Sequence, residues 1–269
     1  MNATLYSLIA LGIVLICTIL GSLVVFFSNK EFNQKAKSIL LSLASGIMVG
    51  AALFCLLRES IIESNELIES GLGSLISIGC TLVGFLIMLG FDKLIDKLGE
   101  NKVKQKSSKL IFAILLHNIP EGLSLGIVCG ELYVVNDMNP IVHTVISLAI
   151  VLAIHNLIQS ITTSLVLVSF NTKKINAFLL MSLAGVVEVI FAILGILLTN
   201  SISNIVSILM AIAAGVMLFV GVIDLFIDSL KNKFTFLTII FLLIGLIILY
   251  VLIPILLIVF MFANNGVIG

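Results

Sequence analysis

The sequence predicts an all-α integral membrane protein with eight transmembrane helices. Apolar residues make up 61% of its 269 residues and charged residues only 10%. The mean hydropathy is +1.32, far above the values of soluble domains. A helix needs about 20 predominantly apolar residues to cross a bilayer. The chain offers eight such stretches, at about 5–27, 38–62, 71–92, 109–130, 141–170, 176–199, 204–229 and 235–261.

These eight spans are expected to form a single transmembrane domain, 1–269. The longest polar connection, about 92–109, is too short to fold as a soluble domain. The first span lacks the basic segment and the small-residue cleavage site of a removable signal peptide, so we expect it to be retained. Span five, at 141–170, is long enough to hold either one tilted helix or a span with an interfacial turn.

The basic residues predict the orientation of the spans. All the lysines follow odd-numbered spans, and Arg58, near the far end of span two, is the remaining cation. Because basic loops stay on the cytoplasmic side, both termini are expected outside, in a multi-pass protein of the cell membrane. The lysines are Lys30, Lys35, Lys37, Lys93, Lys97, Lys102, Lys104, Lys106, Lys109, Lys173, Lys174, Lys231 and Lys233.

Two internal repeats indicate an inverted arrangement of spans, grouped 3+2+3. Ala44–Met48 and Glu59 of span two correspond to Ala213–Met217 and Asp228 of span seven at a constant offset of 169. Spans four and five share a His-Asn motif at an offset of 38. In both cases the two copies enter the membrane from opposite sides, and transporters often place their site between such copies.

Polar side chains inside the predicted spans mark a candidate metal site. Ionisable groups at bilayer depth are costly, so they usually face a partner or a cavity. The i, i+4 spacing in span four puts an imidazole and a carboxylate on one helix face, and Pro120 between them leaves the Leu116 carbonyl without its helical partner. The candidate ligands are His117, Asn118, Glu121, His155, Asn156, Gln159 and Glu188, with Met48 as a further thioether candidate.

This donor set predicts the chemistry of the bound ion. Imidazole nitrogens together with carboxylate and amide oxygens suit zinc, iron, manganese, cobalt or cadmium better than magnesium or calcium. Copper(I) would require more sulfur, and the four cysteines form no C-x-x-C pair. The alternative is a purely structural role, in which the histidine and glutamate of span four form a hydrogen-bonded pair and the amides hold helices together.

The segment His117-Asn118-Ile119-Pro120-Glu121-Gly122, continued by Leu123-Ser124-Leu125-Gly126, resembles the span-four signature of the ZIP (Zrt/Irt-like) metal transporters. The resemblance, to the bacterial branch, extends from Ser45–Gly50 in span two through Gly185–Glu188 to Ala214–Met217 in span seven. It implies an elevator-like transporter that moves a divalent metal toward the cytosol. It also implies a binuclear-type centre between spans four and five, helped by spans two and six, and a homodimer.

The chain departs from the family pattern in span five. Leu157-Ile158-Gln159-Ser160 stands where the family has a proline, a glutamate and a glycine, so an amide replaces one bridging carboxylate. Spans two and seven have Arg58 and Ile227 in place of the usual proline before the acid. With two central carboxylates left, one divalent ion is neutralised and two are not, so the sequence predicts one tightly held metal.

Other functions are weighed against transport. No G-x-x-x-x-G-K motif is present, so ATP hydrolysis and an organic cofactor are not expected; no basic run suggests nucleic acid. A ZIP-like protein with Gln159 can also be a metal sensor, or a transporter with another substrate. An intramembrane metalloenzyme, with Glu188 as general base, is a weaker alternative because no H-E-x-x-H motif occurs. The predicted partners are therefore a divalent metal ion, zinc first, and the lipid bilayer.

Overall fold

The computed structural model confirms the all-α prediction. It describes residues 2–28, 33–68, 72–97, 102–134, 139–231 and 235–265, and contains no β-strand in these ranges. The helices are α1 (Ala3–Ser22), α2 (Val24–Phe27), α3 (Gln34–Gly50), α4 (Arg58–Leu67), α5 (Leu72–Lys97), α6 (Lys102–Glu131), α7 (Asn139–Ser169), α8 (Lys174–Phe219), α9 (Ile227–Leu230) and α10 (Thr235–Asn265). Two π-helical segments, Ala51–Leu57 and Val220–Phe226, lie within the second and seventh spans.

Seven described segments are long and apolar enough to cross a membrane, and they match the first seven predicted spans. Their bounds are Ala3–Phe27, Gln34–Glu66, Leu72–Leu94, Ser107–Glu131, Ile141–Ser169, Lys174–Thr199 and Ile205–Leu230. The eighth predicted span, 235–261, falls in α10, whose described apolar stretch is Thr235–Ile248. The count of eight therefore stays a prediction, while span five is one continuous helix without an interfacial turn.

Spans six and seven both belong to α8, yet residues from each of them lie close to span four. Glu188 of span six packs its carbonyl oxygen against Gly122, and Met210 of span seven lines a cavity together with Glu121. Twenty-two residues of a straight helix would separate Glu188 from Met210 by about 33 Å. Glu188 and Met210 therefore do not lie along one straight helix axis.

The two sequence copies in spans two and seven carry the same local structure. The π-helical segments begin at Ala51 and Val220 and so stand at the offset of 169 found in the sequence. The spans pack antiparallel, because α3 contacts the second π-helical segment while α8 contacts the first. Ser45 donates its hydroxyl to the Gly221 carbonyl oxygen across this contact, at 2.8 Å.

Lysines and helix ends meet at one end of the bundle. Lys37 donates to the Ser169 carbonyl at the end of span five, at 3.0 Å, and Lys174 donates to the Ser28 carbonyl at the end of span one, at 2.6 Å. Lys109, which is buried, pairs with Asp92 at the end of span three. Helix C-termini leave carbonyl groups that cations can satisfy. These contacts agree with the common side that the sequence assigned to the lysines.

Span five ends in a tight turn that sends the chain back as span six. Asn171 adopts φ 61°, the left-handed conformation that asparagine tolerates better than most residues. The Thr172 N–H bonds to the Leu167 carbonyl and the Asn171 N–H to the Val168 carbonyl, a C-terminal motif that satisfies the last carbonyl groups of the helix. Spans five and six are therefore antiparallel neighbours at the lysine end.

A glycine stripe brings span four against span six. Gly122, Gly126 and Gly130 recur every fourth residue, on one face of α6. A Cβ atom on these glycines would collide with Glu188, Ala192 and Thr199 of span six. Close approach of helix backbones through small residues is typical of packing in membranes. The stripe therefore fixes how near Glu188 comes to span four.

The glycine stripe makes a prediction about stability. In Gly126→Ala the new methyl group meets the Ala192 carbonyl, so the helices must separate, and we expect a loss of about 1–3 kcal/mol. Gly79→Ala is the matched control, since a Cβ there has nothing within 4 Å and the change should be neutral or slightly stabilising. Thermal unfolding in detergent, followed by far-ultraviolet circular dichroism, compares them. Equal melting temperatures would contradict this account of the stripe.

Candidate metal centre

The centre of the site is Glu121, which lies between two histidines. Its Oε2 is 3.8 Å from Nε2 of His117, one turn earlier on span four. Its Oε1 is 3.7 Å from Nε2 of His155, which comes from span five. The two imidazole rings are nearly perpendicular, at 84°, with centroids 6.5 Å apart. One ligand atom from each of the three residues lies within 4.8 Å of the others, so a single ion can bridge them.

The polar atoms at this centre are buried and largely without hydrogen bonds. His117, Glu121 and His155 are each at most 3% exposed. Both carboxylate oxygens of Glu121 and both ring nitrogens of His155 have no hydrogen-bond partner within the described part of the chain. Buried polar groups normally have a partner, because leaving one unsatisfied is costly. A cation at the centre would satisfy these atoms.

The ring of His117 is held by two neighbours. Nδ1 lies 3.3 Å from the carbonyl oxygen of Ala113, and Nε2 lies 3.0 Å from the side-chain oxygen of Gln159. An imidazole that donates Nδ1–H to this carbonyl keeps the Nε2 lone pair for a metal, an arrangement common among metal-binding histidines. A ring that instead donates Nε2–H to the Gln159 oxygen has no lone pair at that nitrogen, since both neighbours of the ring are hydrogen-bond acceptors. A metal can therefore bind Nε2 only when the hydrogen bond to Gln159 is broken.

A second group of predicted residues lies toward span six. Asn156 donates its amide to Oε2 of Glu188 at 2.6 Å, and Asn118 donates to the Ala184 carbonyl at 2.8 Å. The other oxygen of Glu188 is buried without a hydrogen-bond partner among the described residues. Asn118 and Asn156 thus tie spans four and five to span six, and Glu188 retains one oxygen for a cation.

Met48 is placed by span two. It is buried, and its Cβ lies 3.6 Å from the position that a Cβ on Gly221 would take. Met48 thus lies next to the antiparallel copy, span seven. The role of Met48 as a thioether ligand stays a prediction.

A cavity of about 260 Å³ reaches the site from the end of the bundle opposite the lysines. Glu121 and His155 form part of its wall, and spans two, four, five and seven enclose it. Sequence reasoning missed the other wall residues. Ser124 follows Glu121 by three positions, so helical spacing could have found it. Cys55 carried no such signal, because only the packing of the first π-helical segment turns it toward the cavity.

The donor set suits a divalent transition metal. Two imidazoles and a carboxylate are ligands that zinc accepts in a tetrahedral site, with room for a fourth donor or water. Glu121 and Glu188 together supply two negative charges, which balance one divalent ion in a medium of low dielectric. The buried polar site inside a bundle of apolar helices thus defines the class: an integral membrane protein built to hold a divalent metal.

Comparison with known proteins agrees with this class. The sequence profile of the ZIP zinc transporter family matches residues 106–253, more than half of the chain. The chain belongs to this family, whose members are membrane proteins that transport divalent metals and are not enzymes. The match includes His117, Glu121, His155 and Glu188 but not the span-two residues. No individual curated protein matches the chain closely enough to count as a relative.

The geometry predicts that Glu121 dominates metal affinity. Glu121→Gln keeps the shape of the side chain but removes the charge between the two imidazoles, so we expect zinc affinity to fall by more than about tenfold. Glu131→Gln is the matched control, since Glu131 ends the same helix ten residues away. Equilibrium dialysis of the purified proteins against zinc measures both. A similar loss in the two variants, or none in Glu121→Gln, would count against this site.

Proposed function

We propose that the chain carries a divalent transition metal, zinc first, with iron, manganese and cadmium as further candidates, toward the cytosol without ATP hydrolysis. The observation that supports this most is the buried cluster of His117, Glu121 and His155, whose ligand atoms lie within 4.8 Å of one another. The cavity that reaches Glu121 and His155 gives an ion access to the cluster. Metal ions are the substrate of this family.

The residues of the site have distinct roles in this proposal. Glu121 bridges toward both imidazoles and binds the ion directly together with His117 and His155. Glu188 supplies the second negative charge, and Asn156 orients it. Asn118 and Gln159 are amide ligands or neighbours of the ligands, and Met48 contributes a thioether from span two. The charge balance favours a single tightly bound ion.

The proposal also covers the orientation of the protein in the membrane, its access from the two sides and its oligomeric state. The lysine contacts at one end of the bundle support a cytoplasmic lysine end. Eight spans with both termini outside then place the cavity on the outer side of the cell membrane. The inverted copies in spans two and seven, which pack antiparallel, support alternating access from the two sides. A homodimer is expected from the family resemblance.

A metal sensor of the same fold is the second candidate, and one observation favours it. Gln159 stands where the family pattern has a carboxylate, and its amide lies at hydrogen-bond distance from Nε2 of His117. A hydrogen bond from Nε2–H to the Gln159 oxygen has to be broken before this nitrogen can bind a metal, which weakens or slows metal passage. Flux and binding have to be measured together to separate the two functions.

The proposed transport predicts saturable zinc uptake into sealed vesicles that contain the purified protein. Glu121→Ala should abolish uptake, because it removes the carboxylate shared by both imidazoles, while Glu131→Ala should retain it. Parallel assays with manganese, iron and cadmium rank the substrates. If no ion is taken up although zinc still binds, the sensor function is correct and transport is wrong.

The charge balance predicts one tightly bound metal per chain. Elemental analysis of purified protein after removal of loosely bound zinc should give about one equivalent. Gln159→Glu restores a carboxylate beside His117, so it should bind zinc more tightly or bind a second ion. Two tight equivalents in the wild-type protein would contradict the single-metal proposal. Uptake that appears only in Gln159→Glu would identify the natural protein as a non-transporting member.

A further inference from the structure

The wall of the cavity carries charged residues outside the group of His117, Glu121 and His155, which is here called the metal cluster. Arg58 and Glu59 both line it, and Nη1 of Arg58 lies 3.7 Å from Oε1 of Glu59. Their side chains are 58% and 50% exposed, whereas Glu121 in the same cavity is 3% exposed. The pair therefore stands at the open end, here called the cavity mouth, and the metal cluster at the closed end. An ion that uses this cavity meets the pair first.

The cavity mouth is the inner end of an acidic helix face. Glu59, Glu63 and Glu66 of α4 follow one another at spacings of four and three, which places them on one side of the helix. Carboxylates without nitrogen or sulfur donors are the ligands that calcium and magnesium prefer. Without a neighbouring cation, this acidic face would concentrate calcium and magnesium ions at the mouth. The Arg58 guanidinium stands beside the innermost carboxylate, that of Glu59.

The other copy of the repeat has the same combination. At the offset of 169, Glu59 corresponds to Asp228, and Asp228 also pairs with a cation, Lys231, at 2.6 Å. The cation is supplied from a different position, because Ile227 replaces Arg58 there. An acid that follows the π-helical segment and is paired with a basic side chain is thus present in both copies. The two copies thus share an acid paired with a basic side chain, which is Arg58 in span two and Lys231 in span seven.

We propose that Arg58 determines ion specificity at the cavity mouth by competing with calcium and magnesium for the Glu59 carboxylate. These hard ions gain only carboxylate oxygens at the mouth, so a guanidinium 3.7 Å from Glu59 reduces their gain. A transition metal also loses binding energy at the mouth, but it gains more at the closed end of the cavity. There His155 and Glu121 offer it an imidazole and a second carboxylate. This inference rests on the proposed transport function and concerns the same cavity.

The test is zinc uptake by reconstituted vesicles in the absence and presence of millimolar calcium. Arg58→Gln removes the charge, so calcium should inhibit its zinc uptake at concentrations about two- to tenfold lower than for the wild-type protein. Lys93→Gln is the matched control, because it removes the same charge from an exposed position at the lysine end and should behave as wild type. Adding Glu59→Gln to Arg58→Gln should restore the wild-type response, since it removes the calcium ligand.

A second readout does not need transport. Equilibrium dialysis against calcium alone should show that purified Arg58→Gln binds calcium about two- to tenfold more tightly than wild type and Lys93→Gln, with unchanged melting temperatures. Equal calcium affinity and equal inhibition in all three proteins would overturn the specificity role of Arg58 while leaving zinc transport intact. Absence of zinc uptake and zinc binding in the wild-type protein would instead overturn the proposed function.

Discussion

A carboxylate buried at the centre of an apolar helix bundle is the constraint on which the rest of this structure depends. Moving an acidic side chain to bilayer depth costs about 2.5–3.5 kcal/mol on insertion scales, so Glu121 requires positive charge or donors nearby. Both of its oxygens lack hydrogen bonds in the described chain, and imidazole nitrogens stand at 3.7 and 3.8 Å. The glycine stripe of span four, which brings Glu188 close, and the cavity that reaches Glu121 both serve the same site.

The two internal repeats are alike in backbone structure and differ in their charged residues. Spans two and seven share their sequence register and their π-helical segments, and they pack antiparallel. Such widened turns are frequent at functional positions of helices. The copies are unequal where charge matters: Glu121 corresponds to Gln159, and Arg58 corresponds to Ile227. The repeat supplies the framework, and the proposed ion number and specificity depend on these differences.

The charges along the proposed route form a graded series. The cavity mouth holds a paired acid, Glu59, whose attraction for cations is reduced by Arg58. In the metal cluster, imidazoles and amides, and no lysine or arginine among the described residues, lie next to Glu121 and Glu188. At the lysine end, Asp228 is again paired with a basic side chain. In the proposed function, a metal ion is thus held more strongly in the middle of the bundle than at these two paired acids.

The sequence by itself determined the helical membrane fold and seven of the spans to within a few residues, and it predicted His117, Glu121 and His155, which the structure brings together. Each of these depends on local properties: hydropathy decides which segments enter a bilayer, and the spacing of His117 and Glu121 decides their shared face. Only the tertiary structure decided which face of span two meets the cavity and that Gln159 lies against His117. These features depend on how helices rotate and approach one another, which is set by distant contacts such as Gly126 against Ala192.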